Sequence, residues 1–259
     1  MYLASLLLLL ACHRTPDKPP VKGPVEAPPD KVPDSTDPAP TCDAEALGRG
    51  GTAVELNTQG YRCYQAGDLE HAVALFSASA EEDDAYALAH YNLACTLARL
   101  RAAGKVCDFD ASPSTILDHL ERAVALDPGR ATRMKEDADL ATVRNTVRYQ
   151  VLAGANLAKE DDLRAVLEKV DFYGPAAGVY GNMTRLDLKP DATAILSRKT
   201  VDDDGNVSWA DTEGRWTVHD GKLDLEVGEE SWQYTLTPAG ALDNASGTAW
   251  IDSPSECEA

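Results

Sequence analysis

No apolar stretch in this sequence is long enough to cross a bilayer as a helix: Leu3–Leu10, with Ala4 and Ser5 inside it, falls well short of the roughly 20 residues a span needs. Basic side chains are scarce, 24 Lys and Arg against 43 Asp and Glu, and the acidic excess is spread through the chain. No basic footprint for phosphate neutralisation exists, which excludes nucleic acid as an expected partner. The five histidines are scattered: His13 near the start, His71, His90 and His119 in helical patterns, and His219 beside a turn. No pair of them has metal-ligand spacing, and no glycine-rich phosphate loop follows a strand pattern. Asp202-Asp203-Asp204-Gly205-Asn206 lacks the alternating ligands and distal glutamate of a calcium loop and reads as a solvated turn. The expectation is therefore no catalytic residue, no metal, no cofactor and no enzymatic activity.

What is present is room for about two ordinary domains, since the chain has 259 residues and 44% of them are apolar. The short run Leu3–Leu10 has the length of a signal-peptide core. It ends at Leu9-Leu10-Ala11-Cys12, which resembles the lipobox of bacterial lipoproteins, with a bulky apolar residue, a small residue and then the thiol that takes lipid. The resemblance implies a signal peptide over 1–11, cleavage before Cys12, lipidation of Cys12 and a place in the cell envelope. His13, not an acidic residue, follows, which by the same resemblance implies outer-membrane sorting. Residues 12–42 then carry proline after proline (Pro16, Pro19, Pro20, Pro24, Pro28, Pro29, Pro33, Pro38, Pro40) and hardly a large apolar side chain. Proline fixes φ and removes a donor, so this stretch reads as a disordered tether.

From Ala53 the pattern becomes helical. Leu56-Asn57-Thr58-Gln59-Gly60-Tyr61-Arg62-Cys63-Tyr64-Gln65-Ala66-Gly67-Asp68-Leu69-Glu70-His71-Ala72-Val73-Ala74-Leu75-Phe76 resembles a tetratricopeptide repeat. Gly60 allows two helices to approach, Gly67-Asp68 turns the chain and starts the second helix, and Ala72 with Phe76 supplies its inner face. Tyr91-Asn92-Leu93-Ala94 opens a second repeat, whose second helix (Ile116, Leu120, Ala123, then Leu126-Asp127-Pro128) comes about ten residues late by the 34-residue repeat length. Residues 102–113 are accordingly an insertion, with Ser112 or Ser114 as the cap of the helix that follows. The expected layout is a repeat domain over 43–171, with repeats at 53–86 and 87–128 and a cap at 129–171. That cap includes Asp137-x-Asp139-Leu140-x-x-x-Arg144, which resembles the closing segment of such arrays, and a last helix over Leu157–Val170.

Beyond Tyr173-Gly174-Pro175 the period changes to two. Arg185–Leu188, Thr193–Leu196, Arg215–Val218, Lys222–Val227 and Ser231–Leu236 read as strands, separated by turn residues such as Lys189-Pro190-Asp191-Ala192 and Asp220-Gly221. The fold class is thus α+β multidomain: tetratricopeptide-type helices followed, over 172–259, by a small antiparallel β meander or barrel. Gly178-Val179-Tyr180, the Leu-x-Leu-x-Pro-Asp run, Gly214-x-Trp216 and Gly221-x-Leu223 are similar to small β-barrel modules of bacterial envelope and stress lipoproteins. Trp209, Trp216, Trp232 and Trp250 read as core, with a ligand pocket as the alternative.

With Cys12 lipidated, five cysteines remain and at least one is free or pairs between molecules. Cys95 reads as a core thiol and Cys107 as bridged, to Cys95 or to Cys63, while Cys42 and Cys257 flank the folded region and are placed to tie its ends. Connectivity stays open. The functional expectation is a membrane-anchored adaptor for a protein or peptide partner at the envelope; the alternative is a ligand-sensing or structural lipoprotein whose β domain is the active module. In tetratricopeptide repeats the first helix of each pair lines the concave groove, so the resemblance names Val54, Asn57, Tyr61 and Tyr64, then Leu88, Tyr91, Cys95 and Arg99, with Asn92 beside them. The competing role for the tyrosines is packing against the cap or the β domain.

Overall fold

Thr52 starts the first helix because its hydroxyl accepts from the Glu55 amide while the Glu55 carboxylate accepts from the Thr52 amide, a reciprocal cap that stabilises by about 1 kcal/mol. This is seen in a computed structural model that describes residues 41–43, 45, 49–174, 183–202 and 204–253. Helix α1 (Ala53–Gln65) hairpins onto α2 (Leu69–Glu82), which Asp68 caps through the His71 amide. A Cβ on Gly60 would lie 2.8 Å from the Phe76 ring, so the two helices meet at a distance only glycine permits. Helix α3 (Ala87–Ala102) and α4 (Pro113–Leu126) form the second hairpin; Ser112, one of the two expected caps, accepts from the Thr115 amide, and Pro113 sits in the first turn. The expected insertion lies between them as a loop.

After Pro128 the chain forms short pieces rather than long helices: α5 (Arg130–Arg133), a 3₁₀ turn (Ala138–Thr142), α6 (Val147–Leu152) and α7 (Glu160–Leu167). The β part is a closed antiparallel barrel of eight strands in sequential order: β1 (Phe172–Tyr173), β2 (Thr184–Leu188), β3 (Thr193–Val201), β4 (Val207–His219), β5 (Lys222–Val227), β6 (Glu230–Leu236), β7 (Ala241–Asn244) and β8 (Gly247–Ile251). Closure is made where Tyr173 pairs with Ile251. All five strands read from the sequence are present. Gly214 lies where β4 crosses close to β5: a Cβ there would lie 2.2 Å from the Glu226 carbonyl oxygen.

Two apolar cores result. One, made by α1–α4 with Met134, Leu140, Val143 and Tyr149, fills the helical hairpins. The other joins the barrel interior (Leu186, Leu188, Trp216, Leu223, Leu225, Tyr234, Leu236) to Val147, Leu163, Val166, Leu167 and Val170. The apolar face of α7 therefore belongs to the barrel's core, although it precedes the 171/172 boundary expected from periodicity. Packing groups Ala39–Ala259 as one unit. None of the helices among the described residues is long and apolar enough to cross a membrane. Cys12, the tether up to residue 40, Gly178-Val179-Tyr180 and Cys257 lie outside the described residues; Cys42, at the tether's end, is tied to Cys63.

Candidate functional site

The stripe named from helix geometry is only partly open. Val54 and Tyr61 on α1 are 57% and 44% exposed, Tyr64, Leu88, Asn92 and Arg99 are half-buried, and Asn57, Tyr91 and Cys95 are buried. The chain itself covers the inner part. Asp137 accepts from the Tyr91 hydroxyl at 2.8 Å and from the Cys95 thiol at 3.6 Å. Asp139 accepts from the Tyr64 hydroxyl and pairs with Arg99 at 3.9 Å, while the Arg99 guanidinium lies 4.7 Å over the Tyr64 ring. Arg130 and Arg133 flank the Tyr91 ring at 5.3 and 5.9 Å. Asn92 donates to Asn57 across the two first helices at 2.9 Å, which consumes the amide that would otherwise meet a peptide backbone.

The electrostatics of this clamp follow from burial and two carboxylates. Burial is the main cause that pushes the Cys95 thiol far above its usual range, with Asp137 and Asp139 adding to it, so the sulfur stays protonated and unreactive. Burial likewise raises the Tyr64 and Tyr91 hydroxyls, which keeps both as donors. The arrangement binds an acidic turn of the chain itself and holds the Cys95 thiol in its protonated form.

A second candidate is a cavity of about 780 Å³ between the helical part and the barrel. Its walls include Arg101, Val106 and Cys107 at the end of α3 and in the inserted loop, Tyr173 and Arg185 on β1 and β2, and Trp209 on β4. The four tryptophans separate by environment. Trp216 is fully buried and donates from Nε1 to the Lys189 carbonyl at 2.9 Å, Trp232 and Trp250 are half-buried against the barrel core, and Trp209 is 50% exposed on the β3–β4 hairpin.

No protein-family model, curated protein or solved structure matches this chain. The site must therefore be read from its own geometry.

The cysteines correct one expectation. Cys63 is bonded to Cys42, and Cys95 is a free buried thiol, so neither is the partner proposed for Cys107. Cys42 also lies near Asp68 and His71, the one grouping of three potential metal ligands among the described residues. Its sulfur is spent in the disulfide and offers no thiolate.

A histidine pair went unseen in the sequence because it spans two helices. His90 on α3 and His119 on α4 bring their Nδ1 atoms to 3.2 Å, and His90 Nε2 lies 3.1 Å from the Asp84 carbonyl. The Asp84 carboxylate, also paired with Arg122, lies 3.4 Å from the same nitrogen, and Asp118 stands on the His119 side. Burial first, and then the neighbouring His90, lowers the His119 pKa. A group whose folded pKa is depressed leaves the unfolded chain binding more protons, so stability is lost as pH falls below about 6.5. We expect thermal unfolding midpoints to fall between about pH 7 and about pH 5 in the native chain and to fall less in His119→Phe. Parallel pH profiles for the two would show that the pair carries no linkage.

Proposed function

We propose that this chain is a lipid-anchored envelope lipoprotein that acts as an adaptor, holding a protein or peptide partner through tetratricopeptide-type helices and performing no catalysis. Support for the anchor comes from Leu9-Leu10-Ala11-Cys12 and the proline-rich stretch after it. Support for the repeats comes from two helical hairpins with glycine, small and large residues at the repeat positions, Gly60, Ala72 and Phe76.

The observation that carries the adaptor reading is exposure. Among the described residues, Val54 and Tyr61 are the two exposed large apolar side chains of the helical part, and both lie on the first-helix stripe, with Tyr61 stacked on Tyr64 at 6.2 Å. Tyrosine beside valine offers apolar area and a hydroxyl at small entropic cost, which suits an extended partner segment. The inner stripe is already satisfied by Asp137 and Asp139, so the partner meets the α1 edge. The alternative, a β domain that is the active module, draws support from the cavity beside Trp209.

One experiment addresses anchor and surface together. Envelope fractions from cells carrying the native chain, Cys12→Ala, or Val54→Ser/Tyr61→Ala are cross-linked and captured through a tag. We expect Cys12→Ala to leave the membrane fraction and the α1 variant to stay membrane-bound and helical with partner capture reduced at least tenfold, about 1.4 kcal/mol. Membrane retention of Cys12→Ala removes the anchor; undiminished capture by the α1 variant removes this face.

A further inference from the structure

Strand β4 outruns one of its neighbours. Its register with β3 is unbroken from Thr193↔Arg215 to Val201↔Val207, whereas its pairing with β5 stops at Gly214↔Val227, after which the chain turns into β6. Residues 207–213 therefore belong to a two-stranded ribbon beyond the barrel, and every one of them is exposed. Which backbone groups this leaves open follows from the alternation of an antiparallel ladder. The Trp216 amide donates to the Ala192 carbonyl at 3.0 Å, and the Asp202 amide donates to the Asn206 carbonyl at 3.1 Å. The even-numbered residues of β4 thus spend their amides and carbonyls on β3. Val207, Trp209 and Asp211 turn theirs the other way, where no strand among the described residues pairs with them.

We propose that this open edge docks an extended, basic segment of a partner protein, which adds as a third strand to the β3–β4 ribbon. Three amides and three carbonyls, repeating at every second residue about 7 Å apart, are matched in full by another extended backbone. A two-stranded ribbon is marginal by itself, and a third strand satisfies its polar edge.

Charge selects the occupant. Residues 202–213 carry five acidic side chains and no basic one, and the whole chain has 43 acidic against 24 basic. A second copy laid edge to edge adds like charge. Lysine or arginine on an incoming strand instead falls opposite Asp211 and Glu213, which have no ion-pair or hydrogen-bond partner among the described residues. Val207 and Trp209, 55% and 50% exposed, share that face and call for apolar residues at the other end of the same segment.

The proposal needs neither the lipid anchor nor the helical stripe, and it is read in the isotope-labelled full chain by amide exchange and chemical shift. In the free chain, the Val207, Trp209 and Asp211 amides should exchange at least tenfold faster than those of Ser208, Ala210 and Thr212. The probe is a blocked synthetic heptapeptide, Lys-Thr-Lys-Thr-Val-Thr-Val, which in antiparallel register sets lysine against Glu213 and Asp211 and valine against Trp209 and Val207. At saturation it should slow the three outward amides at least tenfold, and the same peptide with glutamate for lysine should bind at least tenfold more weakly. Asp211→Pro deletes one outward amide and leaves the β3 ladder whole, because proline is tolerated where a strand's N–H faces solvent. It should bind at least tenfold more weakly than Asp211→Asn, which loses the charge alone. Should Asp211→Pro shift the β3 amides and so report a broken ribbon, the exchange pattern of the native chain with the two peptides decides alone. Outward amides already slow in the free chain, with sedimentation showing a dimer, would give the edge to a second copy and overturn the basic partner. Equal binding of the two peptides, or shifts scattered over the acidic surface with the outward amides still fast, would overturn the site.

Discussion

Trp216→Ala should lower stability by roughly 3–5 kcal/mol, the largest single effect expected in the barrel. Trp216 is fully buried on β4 among Leu188, Leu223 and Leu225, it donates to the Lys189 carbonyl, and the Arg164 guanidinium of α7 lies 4.7 Å over its ring. Truncation leaves a cavity, takes from the Lys189 carbonyl one of its two donors, the Ala192 amide remaining, and removes the cation–π contact that α7 adds to its apolar packing on the barrel. Urea unfolding followed by circular dichroism measures it. Trp216→Phe, which keeps most of the ring and loses the donor, should cost less, and Trp209→Ala, on a half-exposed ring, should cost under about 1 kcal/mol. Equal losses for Trp209→Ala and Trp216→Ala would contradict the assignment of one tryptophan to the core and one to the cavity wall.

Asp137→Ala should cost about 2–4 kcal/mol, because it strands the buried Tyr91 hydroxyl and removes the cap that Asp137 places on the Asp139 amide. The effect is directional. The Arg144 guanidinium donates to the Asp137 backbone carbonyl at 2.8 Å and survives the substitution, so the segment loosens instead of detaching. Alkylation of Cys95 should accelerate sharply, since the carboxylate that covers it is gone, and hydrogen exchange should rise over 134–144 before it rises in α1–α4. If Cys95 remains as slow to react as in the native chain, the acidic turn does not guard the stripe.

The helical hairpins and the central strands were legible because each rests on local chemistry. Gly60 against Phe76, Asp68 and Ser112 as caps, and the alternation of Lys222–Val227 all act within one element or between neighbours. Strands β7 and β8 were missed: Ala241–Asn244 and Gly247–Ile251 are short and lie among Pro238, Gly240, Asn244 and Gly247, residues that signal turns. The first half of β4 is exposed along its length, so Ser208–Glu213 shows no alternation to read; its pairing with β3 beyond the barrel holds it as strand. At the candidate site, sequence spacing named the stripe and offered the cap or the β domain as the competing partner of its tyrosines, but not the two carboxylates of the cap that take their hydroxyls. Tyr64 and Asp139, like His90 and His119, meet only through tertiary packing, and no period in the chain encodes a contact between a helix and a turn so far along it.

The seam between Tyr173 and Ile251 has a consequence for the order in which the chain matures. Each helical hairpin is built from neighbours in sequence and can form as it emerges, with low contact order and correspondingly fast kinetics. The barrel cannot seal until its last strand arrives, because its first strand is two residues long and gains its second neighbour only from β8. Until then the apolar face of α7 and the inner faces of β2 to β6 wait without a lid, exposed to association between chains. A nascent chain is therefore most at risk late, in the interval before Ile251 docks, and a binding factor that shields apolar segments during synthesis would act on the second core and leave the first alone.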